Sequence, residues 1–385
     1  MTESAAPVGR RPAGGLISVQ LARGIAVLIV MFHHAKLTEP KYYDDLNVLP
    51  DVHALGLVGV DLFFVLSGFV MGYTTETQHG SLRNAAVFLW KRLFRIYPMY
   101  WIYCTALVPV VIFLPTWINQ SQGGRIDILA SYLLWPTETF PILLVAWSLV
   151  LEMWFFLVFV VVLLLPRKVL PLALGAWAAV LILVNIVGPI PAPTPLELPQ
   201  NALALEFISG VVISLGFRRM PVWMGWVAPV LGLALVVVVG QQTPPELFTG
   251  TGLARPLSIG IGYALFLLGL VVLERRYGFE RFARFTFLGN MSYSLFLCHV
   301  LVLAVMGRVW AVIWPHVGLT IWGSAVWWVL TFGAILLVGW LSYRILEVPL
   351  MRTSTRLRRR IFGASATPTS RVSAPSPATQ STPIS

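Results

Sequence analysis

The sequence has few charged residues. Of its 385 residues, 11% are Asp, Glu, Lys or Arg and 57% are apolar, whereas a soluble chain carries about 25% charged residues. The mean hydropathy is +0.80. This composition excludes the two or three soluble domains that the length alone would allow, and it predicts a chain that needs lipid as its solvent.

Cysteine is also scarce. Cys104 and Cys298 are the only two cysteines, and both lie within apolar runs. They form neither a C-x-x-C pair nor a zinc-type spacing, so the sequence indicates no disulfide framework and no metal site. We expect both to be small packing residues.

Acidic residues are fewer than basic ones, 16 against 27, which gives a net charge of +11. A basic chain can bind nucleic acid, but here the basic residues form short clusters between apolar segments. That distribution is typical of membrane orientation signals. We therefore predict membrane lipid as a partner and no nucleic acid.

Long apolar runs are abundant, and a membrane span needs about 20 mainly apolar residues. The runs predict an all-α fold, a polytopic transmembrane helical bundle of about ten spans. The predicted spans lie near 17–36, 56–74, 97–115, 143–165, 169–188, 201–216, 222–240, 256–273, 288–310 and 322–346, of which the sixth is the shortest.

The connections between these runs alternate between basic and acidic, so the positive-inside rule predicts that both termini are cytoplasmic in a multi-pass protein of the cell (inner or plasma) membrane. No small-residue cleavage site follows the first run, which we expect to be retained. We predict a cytoplasmic segment at 1–16 and a membrane domain at 17–351. A basic and then Ser/Thr/Pro-rich stretch at 352–385 has too little apolar content to pack and predicts a disordered cytoplasmic tail. We expect any chemistry to occur in the membrane domain.

Charged residues within a span cost roughly 2.5–3.5 kcal/mol on insertion scales and are functional candidates. Arg23 and His34 are separated by about three helical turns plus roughly 20°, so they share a face, with His34 about 16 Å farther along. This spacing predicts a polar path through the bundle. The alternative is that Arg23 reaches the cytoplasmic surface while His34 caps the outer end of the helix.

Two further pairs have helical spacing. Arg92 and Arg95 share a face at the predicted cytoplasmic entrance to the third span, where guanidinium groups suit the phosphates of a donor such as coenzyme A or act only as an orientation signal. Ser148 and Glu152 can face one cavity. Glu152 would there orient a catalytic imidazole, or form a structural ion pair with Arg23 or Arg95.

Three other regions carry polar candidates. Asp61 lies in the first turns of the second span, where a carboxylate complements the helix dipole. Ser292 and His299 share a face and suit either a substrate contact or a hydrogen bond between helices. Glu347 lies where the last span ends and is a candidate partner for a nearby arginine.

Together these segments resemble the acyltransferase-3 family of integral membrane acyltransferases, in the family's order and over almost the whole membrane region. The family's spacing selects His34 rather than His33. Phe32–Ala35 and Leu205–Gly210 look most like exopolysaccharide-associated members. The matching pieces are Arg23 through His34, Gly59 to Phe69, Arg92 and Arg95 before Tyr97-Pro98, Trp147-Ser148-Leu149 with Glu152, Ser292-Tyr293-Ser294 with His299, and Glu347-Val348-Pro349.

The resemblance implies an O-acyltransferase with no bound cofactor. It would take an acyl group, often acetyl from acetyl-CoA, at the cytoplasmic side and transfer it to a hydroxyl of a glycan such as exopolysaccharide, with polysaccharide-assembly proteins as possible partners. We expect His34 to act as general base or acyl carrier, Glu152 to fix its tautomer, and Arg23 to extend the positive path. Arg92 and Arg95 are then the donor-binding residues. The supporting residues are Asp61, Trp147, Ser148, Ser292, His299 and Glu347.

Rival functions fit the same composition. A transporter or flippase for a glycan or lipid-linked sugar also has buried charges, although no inverted repeat is obvious in the sequence. An acyltransferase acting on a small secreted metabolite such as a macrolide is a second alternative, and a non-catalytic scaffold is a third. The acceptor, the acyl length and the oligomeric state are open at this point.

Overall fold

The computed structural model describes residues 15–42, 49, 58–114, 117, 126–188, 194–242, 252–317 and 320–363. In these ranges the regular structure is helical throughout and contains no strand. The principal helices are α1 (Ile17–Tyr42), α2 (Gly59–Thr74), α3 (Leu82–Phe113), α4 (Trp147–Leu164), α5 (Leu170–Val187), α6 (Ala204–Gly216), α7 (Val222–Gln242), α8 (Ile261–Tyr277), α9 (Ser292–Val317), α10 (Ile321–Ser342) and α11 (Val348–Phe362).

Eight helical segments of the described chain are long and apolar enough to cross a membrane, which confirms the predicted all-α polytopic bundle. Helices α2 and α6 are shorter, with 16 and 13 residues. At 1.5 Å per residue they span about 24 and 20 Å, less than the ~30 Å hydrocarbon core. The ten predicted spans are therefore eight long helices and two short ones.

The two short helices pack against each other through glycine. A Cβ atom on Gly68 would meet the carbonyl oxygen of Phe207, and one on Gly210 would meet that of Val65. Small residues at such a crossing allow two backbones to approach closely. Phe64 stacks on Phe207 beside the crossing, with ring centroids 4.7 Å apart. The two packed helices form a wall that positions Phe63 and Ser67 of α2 at the site.

Helix α1 contacts α2, α8 and α9, and its first turn is fixed by a carboxylate. The backbone N–H groups of Ile17 and Ser18 each donate to Glu274 at 2.8 Å, and the Ser18 hydroxyl donates to the same side chain. These bonds satisfy N–H groups that have no partner within the helix. The end of α1 that carries Arg23 is thereby anchored to α8.

Helix α3 begins earlier than the predicted third span, 97–115. The Ser81 side chain accepts the Asn84 N–H as its N-cap, and the helix then runs for 32 residues. Arg92 and Arg95 therefore lie inside the helix, about three to four turns from its start, rather than before it. Both cysteines are buried and free, as expected for packing residues.

The predicted disordered tail from 352 is wrong for its first eleven residues, because α11 continues from α10 through a wide turn at Tyr343–Glu347. Trp90 of α3 packs on the ring of Phe362 and donates to the carbonyl of Ser354 at 3.4 Å. Composition missed this helix because its apolar residues are few but share one face against α3. Residues 364–385 and the predicted segment at 1–14 lie outside the described residues.

Candidate active site

A cavity of about 120 Å³ lies between α1, α2, α3, α4 and α9. Its lining combines polar and aromatic side chains. Its polar lining consists of Arg23, Ser67, Arg92, Arg95, Ser148, Glu152 and Ser292. Its aromatic lining consists of Phe63, Phe64, Phe156, Tyr293 and Phe296. Arg23, Arg92, Arg95, Ser148, Glu152 and Ser292 were all predicted from the sequence, and four separate helices bring them together.

Helical spacing explains why these side chains converge. Arg92 and Arg95 are one turn apart on α3, and Ser148 and Glu152 are one turn apart on α4, so each pair presents one face. Ser148 lies at the beginning of α4 and donates to the carbonyl of Val145 at 3.1 Å. The predicted common cavity for Ser148 and Glu152 is confirmed.

The cavity has more positive than negative charge. Glu152 accepts a hydrogen bond from Ser67 Oγ at 2.6 Å and forms no ion pair within the described chain, so the alternative, a structural ion pair with Arg23 or Arg95, is not found. Arg92 lies over the rings of Phe88 and Phe156 at 5.3 and 5.4 Å. Arginines in such a setting suit an anionic ligand.

Among the residues described, Arg95 is the one cavity arginine that forms an ion pair with a carboxylate. Its Nη1 contacts Glu347 Oε1 at 2.6 Å, and its guanidinium lies 5.5 Å from the ring of Tyr293. Glu347 also accepts the Ser294 hydroxyl at 2.6 Å. The prediction that Glu347 pairs with an arginine is confirmed, and the pair joins α3, α9 and the turn before α11.

A second cavity, of about 560 Å³, adjoins the first. Arg23 and Arg95 line both, so the two spaces meet at these side chains. The rest of its wall includes Glu347 and three residues of α11, Arg352, Arg356 and Arg359. We refer to this wider, arginine-lined space as the vestibule.

His34 lies beside His299 rather than beside Glu152. His34 Nδ1 is 3.0 Å from the carbonyl of Val30 and 3.2 Å from His299 Nε2, while His299 Nδ1 is 3.0 Å from the carbonyl of Leu295. When both rings carry their proton on Nδ1, the His34 N–H is shared between the Val30 carbonyl and His299 Nε2, and the His299 N–H donates to the Leu295 carbonyl. His34 Nε2 then has a lone pair available for a substrate.

These contacts correct the predicted link between Glu152 and the imidazole, because His299 holds His34 in place of the carboxylate. The imidazole pair lies next to the aromatic lining of the cavity. Phe63 and Phe296 line the cavity with ring centroids 6.1 Å apart, and Phe296 is 6.0 Å from the His299 ring. His33, the unselected neighbour, is buried with its ring 5.3 Å from His34.

The predicted residues His34, His299 and Glu347 lie next to the cavity and are not part of its lining, and neither are two others, Asp61 and Trp147. Asp61 is fully buried in the first turn of α2, but its carboxylate binds Arg255 Nε and Nη2 at 2.8 and 2.7 Å. The helix dipole is therefore not its main partner. Trp147 packs its ring against Phe64 at 6.4 Å. Both residues support the walls of the site from outside.

Sequence reasoning missed Ser67, Phe296 and the arginines of α11. No local signal identifies Ser67 or Phe296, because each acts through a residue on a distant helix. The arginines did carry a signal: Arg352 and Arg356 are four residues apart and would share a face if the segment were helical. A disordered segment has no helical faces, so the predicted tail gives this spacing no structural meaning.

Comparisons with known proteins point to one protein family. Residues 16–344 match the family described as "Acyltransferase domain". The chain is 28% identical over 326 residues to "Exopolysaccharide production protein ExoZ" of Rhizobium meliloti (strain 1021), covering 80% of this chain and 93% of that protein. It is 28% identical over 312 residues to "Acyltransferase MdmB" of Streptomyces mycarofaciens, covering 73% of this chain and 77% of that protein. No solved structure matches the chain significantly.

Proposed function

From the premise that the chain belongs to the acyltransferase-domain family and is a membrane O-acyltransferase, we propose that it transfers a short acyl group from cytoplasmic acyl-CoA to a glycan hydroxyl. The observation that carries the donor assignment is the cavity itself. Three arginines and one carboxylate line it within an apolar bundle. Such an excess of positive charge suits the thioester end of the donor, whose carbonyl oxygen develops negative charge during reaction.

The proposed reaction is a direct transfer of the acyl group from the thioester sulfur to the acceptor oxygen. The acceptor hydroxyl oxygen attacks the thioester carbonyl carbon, and its proton moves to His34 Nε2. The carbon–sulfur bond then breaks, the ester is released, and the coenzyme A thiolate takes up the proton. Imidazole accepts and returns protons near neutral pH, and the lone pair on His34 Nε2 is the one left open by its contact with His299.

The oxyanion formed at the carbonyl needs positive partners that are already in place. Arg23 and Arg92 line the cavity, and preorganised donors of this kind are usually the largest single contribution to such catalysis. Glu152, held by Ser67, offsets part of the positive charge when no substrate is bound. Its assigned role is thus charge balance rather than orientation of His34.

An acyl-histidine route uses the same residues. In it His34 Nε2 attacks the thioester, carries the acyl group, and passes it to the hydroxyl in a second step. Trapped label on the wild-type protein that is lost in His34→Ala would support this route, and full turnover without label would favour direct transfer.

The acyl group and the acceptor are proposed on separate grounds. A cavity of about 120 Å³ is small beside the roughly 300–1,000 Å³ of most ligand pockets, which favours acetyl over a long chain. The name of the exopolysaccharide production relative supports an exopolysaccharide hydroxyl as acceptor and polysaccharide-assembly proteins as neighbours. We place the protein in the cell (inner or plasma) membrane, with α11 on the cytoplasmic side.

The first test uses purified full-length protein in lipid nanodiscs with acetyl-CoA and an oligosaccharide from the surface glycan of the source cell. We expect thiol release coupled to ester formation, and loss of both in His34→Ala while the protein still inserts and accumulates. His316→Ala is the matched control, because His316 is exposed at the far end of α9. Near-normal transfer by His34→Ala would overturn the catalytic assignment. Transfer to a macrolide but not to the glycan would replace the acceptor.

A further inference from the structure

Helix α11 carries a row of arginines that the acyl-transfer step does not use. Arg352, Arg356 and Arg359 are four and three residues apart, so they share one face, and all three line the vestibule. Their side chains are exposed and form no ion pair within the described chain. The other two arginines of α11, Arg358 and Arg360, do not line the vestibule.

The charge of the vestibule is strongly one-sided. Its wall contains Arg23 and Arg95 besides the three arginines of α11, and Glu347 is its one carboxylate. That carboxylate is already occupied by Arg95 and by the Ser294 hydroxyl. A membrane orientation signal needs basic residues near the end of a span, but it does not need them aligned on a cavity.

We propose that this vestibule binds the phosphates of the nucleotide portion of acyl-CoA, an inference that rests on the proposed function. Coenzyme A has its phosphates at one end and its thioester at the other, joined by a narrow flexible arm. The 560 Å³ vestibule has the size of a typical ligand pocket, and the adjoining 120 Å³ cavity is too small for the nucleotide. Arginine is the side chain best suited to phosphate oxygens.

The same assignment moves Arg92 and Arg95 away from the phosphates. Arg92 lines the inner cavity and not the vestibule, and Arg95 is held by Glu347 where the two spaces meet. Arg92 therefore acts at the thioester end of the donor. Phosphate binding, which the sequence predicted for Arg92 and Arg95, is assigned instead to Arg352, Arg356 and Arg359.

The test measures binding of coenzyme A itself, by calorimetry, to the full chain in nanodiscs of neutral lipid. The variant is Arg352→Gln with Arg356→Gln, and the control is Arg358→Gln with Arg360→Gln, which removes the same charge from positions of α11 that do not line the vestibule. We expect Kd to rise about 10-fold in the variant and less than about twofold in the control. Pantetheine, which lacks the nucleotide, should bind wild type and variant equally.

Each outcome separates this inference from the proposed function. Equal Kd values for wild type and variant would overturn the vestibule assignment while leaving coenzyme A as the donor. Failure of wild type to bind coenzyme A would overturn both. A repeat in nanodiscs containing phosphatidylglycerol tests the other source of phosphate: if anionic lipid lowers wild-type affinity to that of the variant, the arginines hold a lipid headgroup and the inference is wrong.

Discussion

At the scale of single residues, the contact between His34 and His299 changes how the site is expected to work. The sequence suggested a carboxylate behind the catalytic imidazole, but the nearest polar atom to His34 Nδ1 on another helix is His299 Nε2, at 3.2 Å. A neutral imidazole can accept the Nδ1–H and fix the tautomer as a carboxylate would. It does so without placing a second charge beside the base.

This arrangement makes His299 a positioning residue with a testable signature. We expect His299→Leu to lower kcat by about 10- to 100-fold with little change in KM for the donor, because the acceptor of the His34 proton is lost. His299→Gln should recover part of kcat, since an amide oxygen can accept the same hydrogen bond. Equal kcat losses in the two variants would mean that His299 serves packing alone.

Asp61 shows what a buried charge does when it lies outside the reaction path. Its ion pair with Arg255 is buried, with side chains 0% and 5% exposed. We expect Asp61→Asn to destabilise the protein by about 3 kcal/mol or more, because it removes the carboxylate that pairs with the buried Arg255 guanidinium through two hydrogen bonds. The measurement is the apparent Tm in detergent, with acyl transfer assayed at low temperature.

The double variant Asp61→Leu with Arg255→Met is the matched control for that prediction. Replacing both charges with apolar groups removes the buried cation together with its Asp61 carboxylate, so the apparent Tm should return towards the wild-type value. A single variant as stable as the wild type would contradict the account of this pair.

At the scale of helices, the crossing of α2 and α6 determines where Ser67 and Phe63 lie. Gly210 touches the backbone of α2 at Val65, so Gly210→Ala must push the two short helices apart. We expect a loss of about 1–3 kcal/mol, as for other overpacked positions, and lower yield of folded protein. The measurement is apparent Tm together with the monodisperse fraction after purification.

Gly175→Ala on α5 is the control for the crossing. A Cβ atom at Gly175 meets nothing within 4 Å, and alanine is about 1 kcal/mol more favourable than glycine inside a helix. The two substitutions are therefore expected to move the apparent Tm in opposite directions. Destabilisation by both would show that close approach at Gly210 is not the cause.

Helix α11 illustrates why composition alone misjudged one element. A segment with many arginines and few apolar residues is expected to stay solvated, and the spacing of its arginines indicates a shared face only if the segment is already helical. Its order comes from Trp90 of α3, more than 250 residues earlier in the chain, and from continuity with α10. Such stabilisation depends on tertiary packing, which local pattern does not record.

At the scale of the whole molecule, sequence predicted the features that are local. Apolar runs identified the helices, since the bilayer imposes one length and one polarity on each span. Helical spacing identified Arg92 with Arg95 and Ser148 with Glu152 as pairs that share a face. The resemblance to a family supplied the order in which the pieces occur, and residues 16–344 match that family.

Pairing between distant helices was beyond the same reasoning. Asp61 and Arg255 are 194 residues apart, and His34 and His299 are 265 apart, so nothing in the spacing of either pair indicates contact. Glu152 was linked to His34 because both are polar and buried. In the fold, Glu152 instead accepts a hydrogen bond from Ser67, and His34 contacts His299. Only the packing of the helices decides between these partners.

The account as a whole is that vestibule, inner cavity and imidazole pair form one route through the bundle. Arg23 and Arg95 belong to both spaces, and Phe296 joins the inner space to His299. The most direct measurement is a cryo-EM structure with a thioether analogue of acetyl-CoA that cannot transfer its acyl group. We predict the analogue's carbonyl in the cavity beside Arg92 and Glu152 and its nucleotide in the vestibule. An analogue bound at saturating concentration elsewhere, with that cavity empty, would contradict the account.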